Sequence, residues 1–87
     1  MPIALNREMT RGPINGEWIF RLTRTREHSN VRETMDEPLS HTVVVEIYRS
    51  VMGRVPATGL NRENVMENWD HLEPRLRAEI EKRIAPR

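Results

Sequence analysis

The residue types that most often perform chemistry are scarce in this chain, and the three histidines, His28, His41 and His71, are the first to consider. No two of them have the four-residue spacing of a helical zinc site, and the sequence lacks a His-Glu-x-x-His motif. The chain also has no cysteine, which excludes disulfides, thiolate metal ligands and cysteine nucleophiles. The sequence therefore predicts no metal and no other cofactor, and we expect the histidines at the solvated surface.

Patterns for acid–base or nucleophilic catalysis are also missing. The carboxylates of the C-terminal half fall on the polar sides of short predicted helices, where capping and solvation account for them. No serine stands in a Gly-x-Ser-x-Gly setting, and the four glycines form no phosphate-binding loop. We therefore expect that the protein is not an enzyme.

The size of the chain limits its hydrophobic core. Its 87 residues, of which 37% are hydrophobic and 5% aromatic, predict one small domain over 1–87 with a thin core. Small domains without disulfides often gain stability by assembling into oligomers, so a homodimer is one of the expected states of this protein. The absence of a signal-peptide pattern and of a membrane-length apolar run predicts a soluble, cytoplasmic protein.

The longest apolar-rich stretch, residues 36–56, is the segment against which the rest is expected to pack. Its apolar residues recur at helical spacings, which predicts a helix over about 37–52. Asp36 is the expected N-cap, and Gly53 suits the left-handed position after the last turn. A strand over 42–48 is the alternative, because its valines also suit a pleated sheet.

The elements before this helix predict a β-hairpin. Residues 17–26 alternate between apolar and polar side chains, with the three large apolar residues on one face, and residues 31–35 are the expected returning strand. Residues 1–16 contain two glycines and two prolines, which predicts a largely irregular segment with, at most, a short edge strand near Ile3 and Leu5.

Two further helices are expected after the central one. Asn61 is the predicted cap of a short helix over 62–69, and the spacing of Asp70 and Glu73 suggests a capping box for a last helix over 71–84. The overall prediction is an α+β fold, in which an N-terminal hairpin is followed by three helices.

An apolar stripe wider than one thin domain can cover favours a protein-binding function. Tyr48, Met52, Met66 and Trp69 are the predicted interface residues, since methionine and aromatic side chains are common at binding surfaces. The favoured function is a small non-catalytic accessory, adaptor or inhibitor protein, of the size that phages and mobile elements encode. The expected partner is another protein or a second copy of the chain. We expect no binding to a membrane.

Nucleic-acid binding is the alternative function. Residues 1–32 hold six arginines against three glutamates. Among these arginines, the candidates for phosphate contacts are Arg7, Arg11, Arg21, Arg24 and Arg26. The small net charge of +1 and the single lysine make this the less favoured alternative.

Overall fold

The computed structural model describes residues 3–25 and 31–84, which form an α+β domain of three strands followed by three helices. The elements are β1 (Ile3–Ile14), β2 (Glu17–Thr25), β3 (Arg32–Ser40), α1 (His41–Met52), α2 (Arg62–Glu67) and α3 (Trp69–Ile84). The strands form one antiparallel sheet in the order β1-β2-β3, so that β2 is its centre.

The alternation of β2 decides which face of the sheet is covered. Trp18, Phe20 and Leu22 have no solvent exposure, and the helices pack on their side of the sheet. The indole of Trp18 stacks on the ring of Phe20, with 6.1 Å between the ring centroids. The opposite face carries polar and charged side chains such as Arg21 and Asp36, so the domain has two layers.

The helices complete the core with short apolar stripes. The buried residues outside the sheet are Val44, Ile47 and Tyr48 of α1, Leu60 of the following loop, Val65 of α2, and Trp69, Leu72, Leu76 and Ile80 of α3. The four-residue spacing of the last three places them on one side of α3, which faces the sheet and α1.

The predicted two-stranded hairpin is wrong, because residues 3–14 form a third strand instead of an irregular segment. β1 pairs with β2 from Ile3 to Ile14, and Ile3 is buried in the core. The expected break at Gly12 and Pro13 appears only as a shift in register. β1 is an edge strand with β2 as its single neighbour. The missing N–H of Pro13 therefore leaves no second strand without a hydrogen bond, and β1 tolerates the shift.

A second irregularity of β1 forms a bulge. Asn6 lies opposite Arg21 and Arg11 lies opposite Ile19, so four residues of β1 face one residue of β2. Arg62 of α2 holds the bulge: its Nε donates to the carbonyl of Thr10 at 2.7 Å and its Nη2 to that of Glu8 at 3.2 Å. Sequence periodicity does not reveal such a long-range contact.

The border between β3 and α1 also differs from the prediction. β3 continues to Ser40, beyond the expected end at residue 35, and α1 starts at residue 41 and not at 37. The extension buries Leu39 against Trp18, which lies directly opposite in β2. Ser40 is the N-cap, since its hydroxyl accepts from the N–H of Val43, and Asp36 lies within the strand.

The helical interpretation of the valine-rich segment holds, and so does its predicted end. α1 covers residues 42–48, and Gly53 follows its last residue with a φ of 84°. The Gly53 N–H donates to the carbonyl of Arg49 at 2.8 Å, which satisfies one of the last carbonyls of the helix.

The last two helices have other bounds than the sequence predicts. α2 ends at Glu67 and not at 69, and α3 begins at Trp69 and not at 71. Asn61 caps α2 as predicted, with Asn64 completing a capping box. Asp70 lies inside α3, because the carbonyl of Asn68 already accepts the first N–H groups of that helix. Residue 26, the predicted end of the first hairpin strand, lies outside the described residues.

Candidate protein-binding cleft

Most of the apolar side of α1 is covered by the rest of the chain. Val44 is 1% exposed, and Ile47 and Tyr48 are also buried against the sheet and α3. The remaining apolar residues of this helix are partly buried against the same core. A broad exposed stripe along α1 is therefore not available, and the helix keeps only partly exposed apolar side chains, Met52 at its C-terminal end among them.

The four predicted interface residues divide into two pairs. Tyr48 and Met52 lie together at the C-terminal end of α1 and line a common cleft. Trp69 is only 8% exposed and belongs to the core, and Met66 packs partly buried at the α2–β1 contact, where its carbonyl accepts from Nη2 of Arg7 at 3.0 Å. Neither of these two lines the cleft.

The cleft has a volume of about 560 Å³, which is within the ordinary range for ligand sites. The end of α1, the loop after Gly53 and the α2–α3 junction form its walls. Its lining residues are Tyr48, Met52, Arg54, Val55, Pro56, Ala57 and Asn68. The Gly53 turn directs the chain sideways from the helix, and the loop that follows therefore forms one wall of the cleft.

A short polar network lies at the α2–α3 side of the cleft. Nδ2 of Asn68 donates both to the hydroxyl of Tyr48 at 3.3 Å and to the carbonyl of Asn64 at 3.0 Å. The Tyr48 hydroxyl accepts in this network, and within the described residues its own proton has no acceptor. The ring is thus fixed by packing while one O–H donor stays available.

The cleft carries a single formal charge. Arg54 is exposed, and among the described residues no carboxylate lies within 4.0 Å of its guanidinium group. No aspartate or glutamate is among the lining residues. The concave surface therefore combines mainly apolar side chains with one uncompensated positive charge.

The arginines of the nucleic-acid alternative are mostly engaged in contacts within the chain. Nη2 of Arg11 lies 3.1 Å from Asp36, and Nε of Arg21 lies 2.9 Å from the same carboxylate. Arg24 pairs with Glu33 at 3.0 Å. Arg7 donates to Met66 as described, and Arg26 lies outside the described residues.

These contacts give the sheet a balanced charge. The described strands contain five arginines and five carboxylates, so they carry no excess of positive charge for a phosphate backbone. Nucleic-acid binding by these arginines stays a prediction that no observation tests.

Asp36 forms ion pairs with two arginines, Arg11 and Arg21, on the exposed face of the sheet. The hydrogen bond from Arg21 lowers the pKa of the Asp36 carboxyl below its ordinary value, and the positive charges of Arg21 and Arg11 act in the same direction. Asp36 lies on β3, and its carboxylate thus links this strand through side-chain contacts to Arg11 of β1 and Arg21 of β2.

This lowered pKa predicts a loss of stability in acid. Because the carboxyl binds a proton more readily in the unfolded chain, its contribution is complete above about pH 5 and is lost as the pH falls through about 4 and lower. Between pH 6 and pH 3, the free energy of unfolding of Asp36→Asn should therefore fall less than that of the wild type in urea titrations. In an Arg21→Gln background the difference should shrink, and an equal fall in all four proteins would contradict the assignment.

The histidines do not form a metal centre in the part of the chain that the structure describes. Residues 3–25 and 31–84 contain no group of three or more histidine, aspartate or glutamate side chains placed to hold a metal ion. His41, expected at the surface, is half-buried, and its Nδ1 accepts from Nε1 of Trp18 at 3.0 Å. His71 is exposed on α3, and His28 lies outside the described residues.

Several residues of the cleft escape sequence reasoning. Arg54, Ala57 and Asn68 carry no helical periodicity, and they meet only because the chain turns at Gly53 and again before α3. One feature of the sequence could have indicated the cleft, namely the apolar pair Val55-Pro56 shortly after the end of the helix at Gly53. Apolar residues in a loop often contact another surface.

Within the described residues, no helix has both the length and the apolar character needed to cross a membrane. Comparison of the chain with protein-family models, curated proteins and solved structures finds no match to any of them.

Proposed function

We propose that this protein is a small non-catalytic accessory, adaptor or inhibitor that binds a segment of another protein in the cleft at the C-terminal end of α1. The observation that carries the proposal is the cleft itself, whose wall combines Met52, Val55 and Pro56 with one unpaired cation. Concave, mainly apolar surfaces with a few polar groups are where proteins most often bind ligands.

The packing and hydrogen bonding of the cleft walls support the same proposal. Tyr48 is buried and bonded to Asn68, and the left-handed turn at Gly53 sets the start of the loop. A site whose walls are ordered before binding loses less conformational entropy when the partner arrives. As part of this proposal, the protein acts in the cytoplasm and its partner surface is limited to about the size of one short peptide segment.

A pair of tryptophan substitutions in the loop tests the proposal. Ala57 is exposed and lines the cleft, whereas the neighbouring Thr58 is exposed and does not line it. Ala57→Trp should fill the cleft and lower the amount of a bound partner by at least about tenfold, because a clash of a few kcal/mol is sufficient for that loss. Thr58→Trp adds the same side chain to the same loop and should leave binding unchanged.

The measurement is affinity capture from host cells with quantitative mass spectrometry of the captured proteins. The proposal predicts at least one protein that the wild type and Thr58→Trp retain and Ala57→Trp loses, while circular dichroism shows the same fold for all three. Identical captured sets for the wild type and Ala57→Trp would overturn it.

A further inference from the structure

We infer that the partner segment carries a carboxylate next to an apolar side chain, with the carboxylate bound by Arg54 and the apolar side chain packed on Met52 and Val55. This inference rests on the proposed function, because it names the chemistry that the same cleft selects.

The one charged group in the lining of the cleft is a hydrogen-bond donor. The guanidinium of Arg54 offers only donors, and the free proton of the Tyr48 hydroxyl is a further donor at the same surface. Asn68 has already committed its Nδ2 to Tyr48 and Asn64. Uncommitted donors without a facing carboxylate favour an acceptor-rich, negatively charged group.

A carboxylate fits this donor set better than a phosphate does. Sites for phosphorylated segments commonly use clusters of arginines, whereas this cleft contains one cation. A single guanidinium can hold a carboxylate through two parallel hydrogen bonds and neutralise its one charge. The ligand class is therefore an acidic, apolar peptide segment, with either a side-chain or a terminal carboxylate.

Two matched small molecules separate the carboxylate contribution from the apolar one. The probes are N-acetyl-L-leucine, which ends in a carboxylate, and N-acetyl-L-leucinamide, which has the same apolar side chain and no charge. Each is titrated into the ¹⁵N-labelled full chain, and the shifts of the backbone amides of residues 52–57 and 68 are followed by NMR. Both probes should shift these signals, the acid with an affinity about three- to tenfold higher than that of the amide.

Two arginine variants show which cation recognises the carboxylate. Arg54→Gln should remove the preference for the acid and leave binding of the amide unchanged. Arg49→Gln is the control, because Arg49 is exposed in the last turn of α1 and, among the described residues, has no ion pair and no place in the lining of the cleft. It should keep the preference of the wild type.

The outcomes distinguish this inference from the function on which it rests. Equal binding of the two probes, or a preference that survives Arg54→Gln, overturns the carboxylate inference, and so does the absence of any shift in the cleft. The proposed function is tested separately, by the capture of a partner with the wild type and Ala57→Trp. Cleft signals that shift with protein concentration alone, together with a doubled mass in light scattering, would identify a second copy as the occupant and overturn the inference.

Discussion

Replacing Trp18 with alanine is expected to lower the free energy of unfolding by about 3–5 kcal/mol. The indole has no solvent exposure, stacks on Phe20 and faces Leu39 across the sheet, so its removal leaves a cavity between the sheet and the helices. It also leaves Nδ1 of His41 without its donor. A domain of this length has a total stability of about 4–13 kcal/mol, so this loss removes at least about a quarter of it.

The measurement is urea unfolding followed by circular dichroism, with Ile14→Ala as the control. Ile14 is 57% exposed near the end of β1, and its truncation should change the free energy of unfolding by no more than about 0.5 kcal/mol. Similar losses for the two variants would contradict the placement of Trp18 at the centre of the core.

Gly12→Ala is the second substitution with a large expected effect, a loss of about 2–4 kcal/mol. Gly12 has a φ of +141°, a conformation that residues with a side chain rarely adopt. An added Cβ would lie 2.9 Å from Cδ2 of Trp18 and 3.0 Å from the carbonyl oxygen of Glu17. The ring is packed and the carbonyl belongs to the backbone of β2, so neither can move away without disturbing the sheet.

Gly16 provides the matched control for this prediction. It lies in the turn between the same two strands with a φ of +77°, but among the described residues no atom lies within 4 Å of a Cβ added there. Gly16→Ala should therefore show only the backbone penalty, about 1–2 kcal/mol. The difference between the two variants in thermal or urea unfolding measures the crowding at Gly12, and equal losses would show that β1 does not approach Trp18 so closely.

The parts of the fold that local patterns determine follow from the sequence. The alternation in β2 identifies its buried face, because a half-covered sheet needs apolar residues at every second position. The stop at Gly53 fixes the end of α1, because a glycine tolerates the left-handed turn that closes a helix.

The parts of the fold that depend on long-range contacts could not be predicted from the sequence. β1 looks irregular because of Gly12 and Pro13, and its pairing with β2 makes it a strand. The contact of Arg62 with the bulge is likewise a long-range one. Asp36 resembles a helix cap in sequence, but the burial of Leu39 opposite Trp18 keeps this segment extended as far as Ser40.

The candidate site was predictable only in part, for a related reason. Aromatic and methionine residues are common both in cores and at interfaces, and the sequence does not say which of the two applies. The packing of α3 buries Trp69, whereas the Gly53 turn leaves Met52 at the cleft. The formal charge in the lining of the cleft comes from Arg54, a loop residue without periodicity.

Site-specific photo-crosslinking tests the central claim, that a partner binds at the end of α1, most directly. A benzophenone side chain is placed at position 57 in the cleft or at position 42, an exposed residue at the opposite end of α1, and each protein is irradiated in host cells. We predict a discrete crosslinked partner from position 57 that is absent from position 42. The same adducts from both positions, or none from position 57, would contradict the claim.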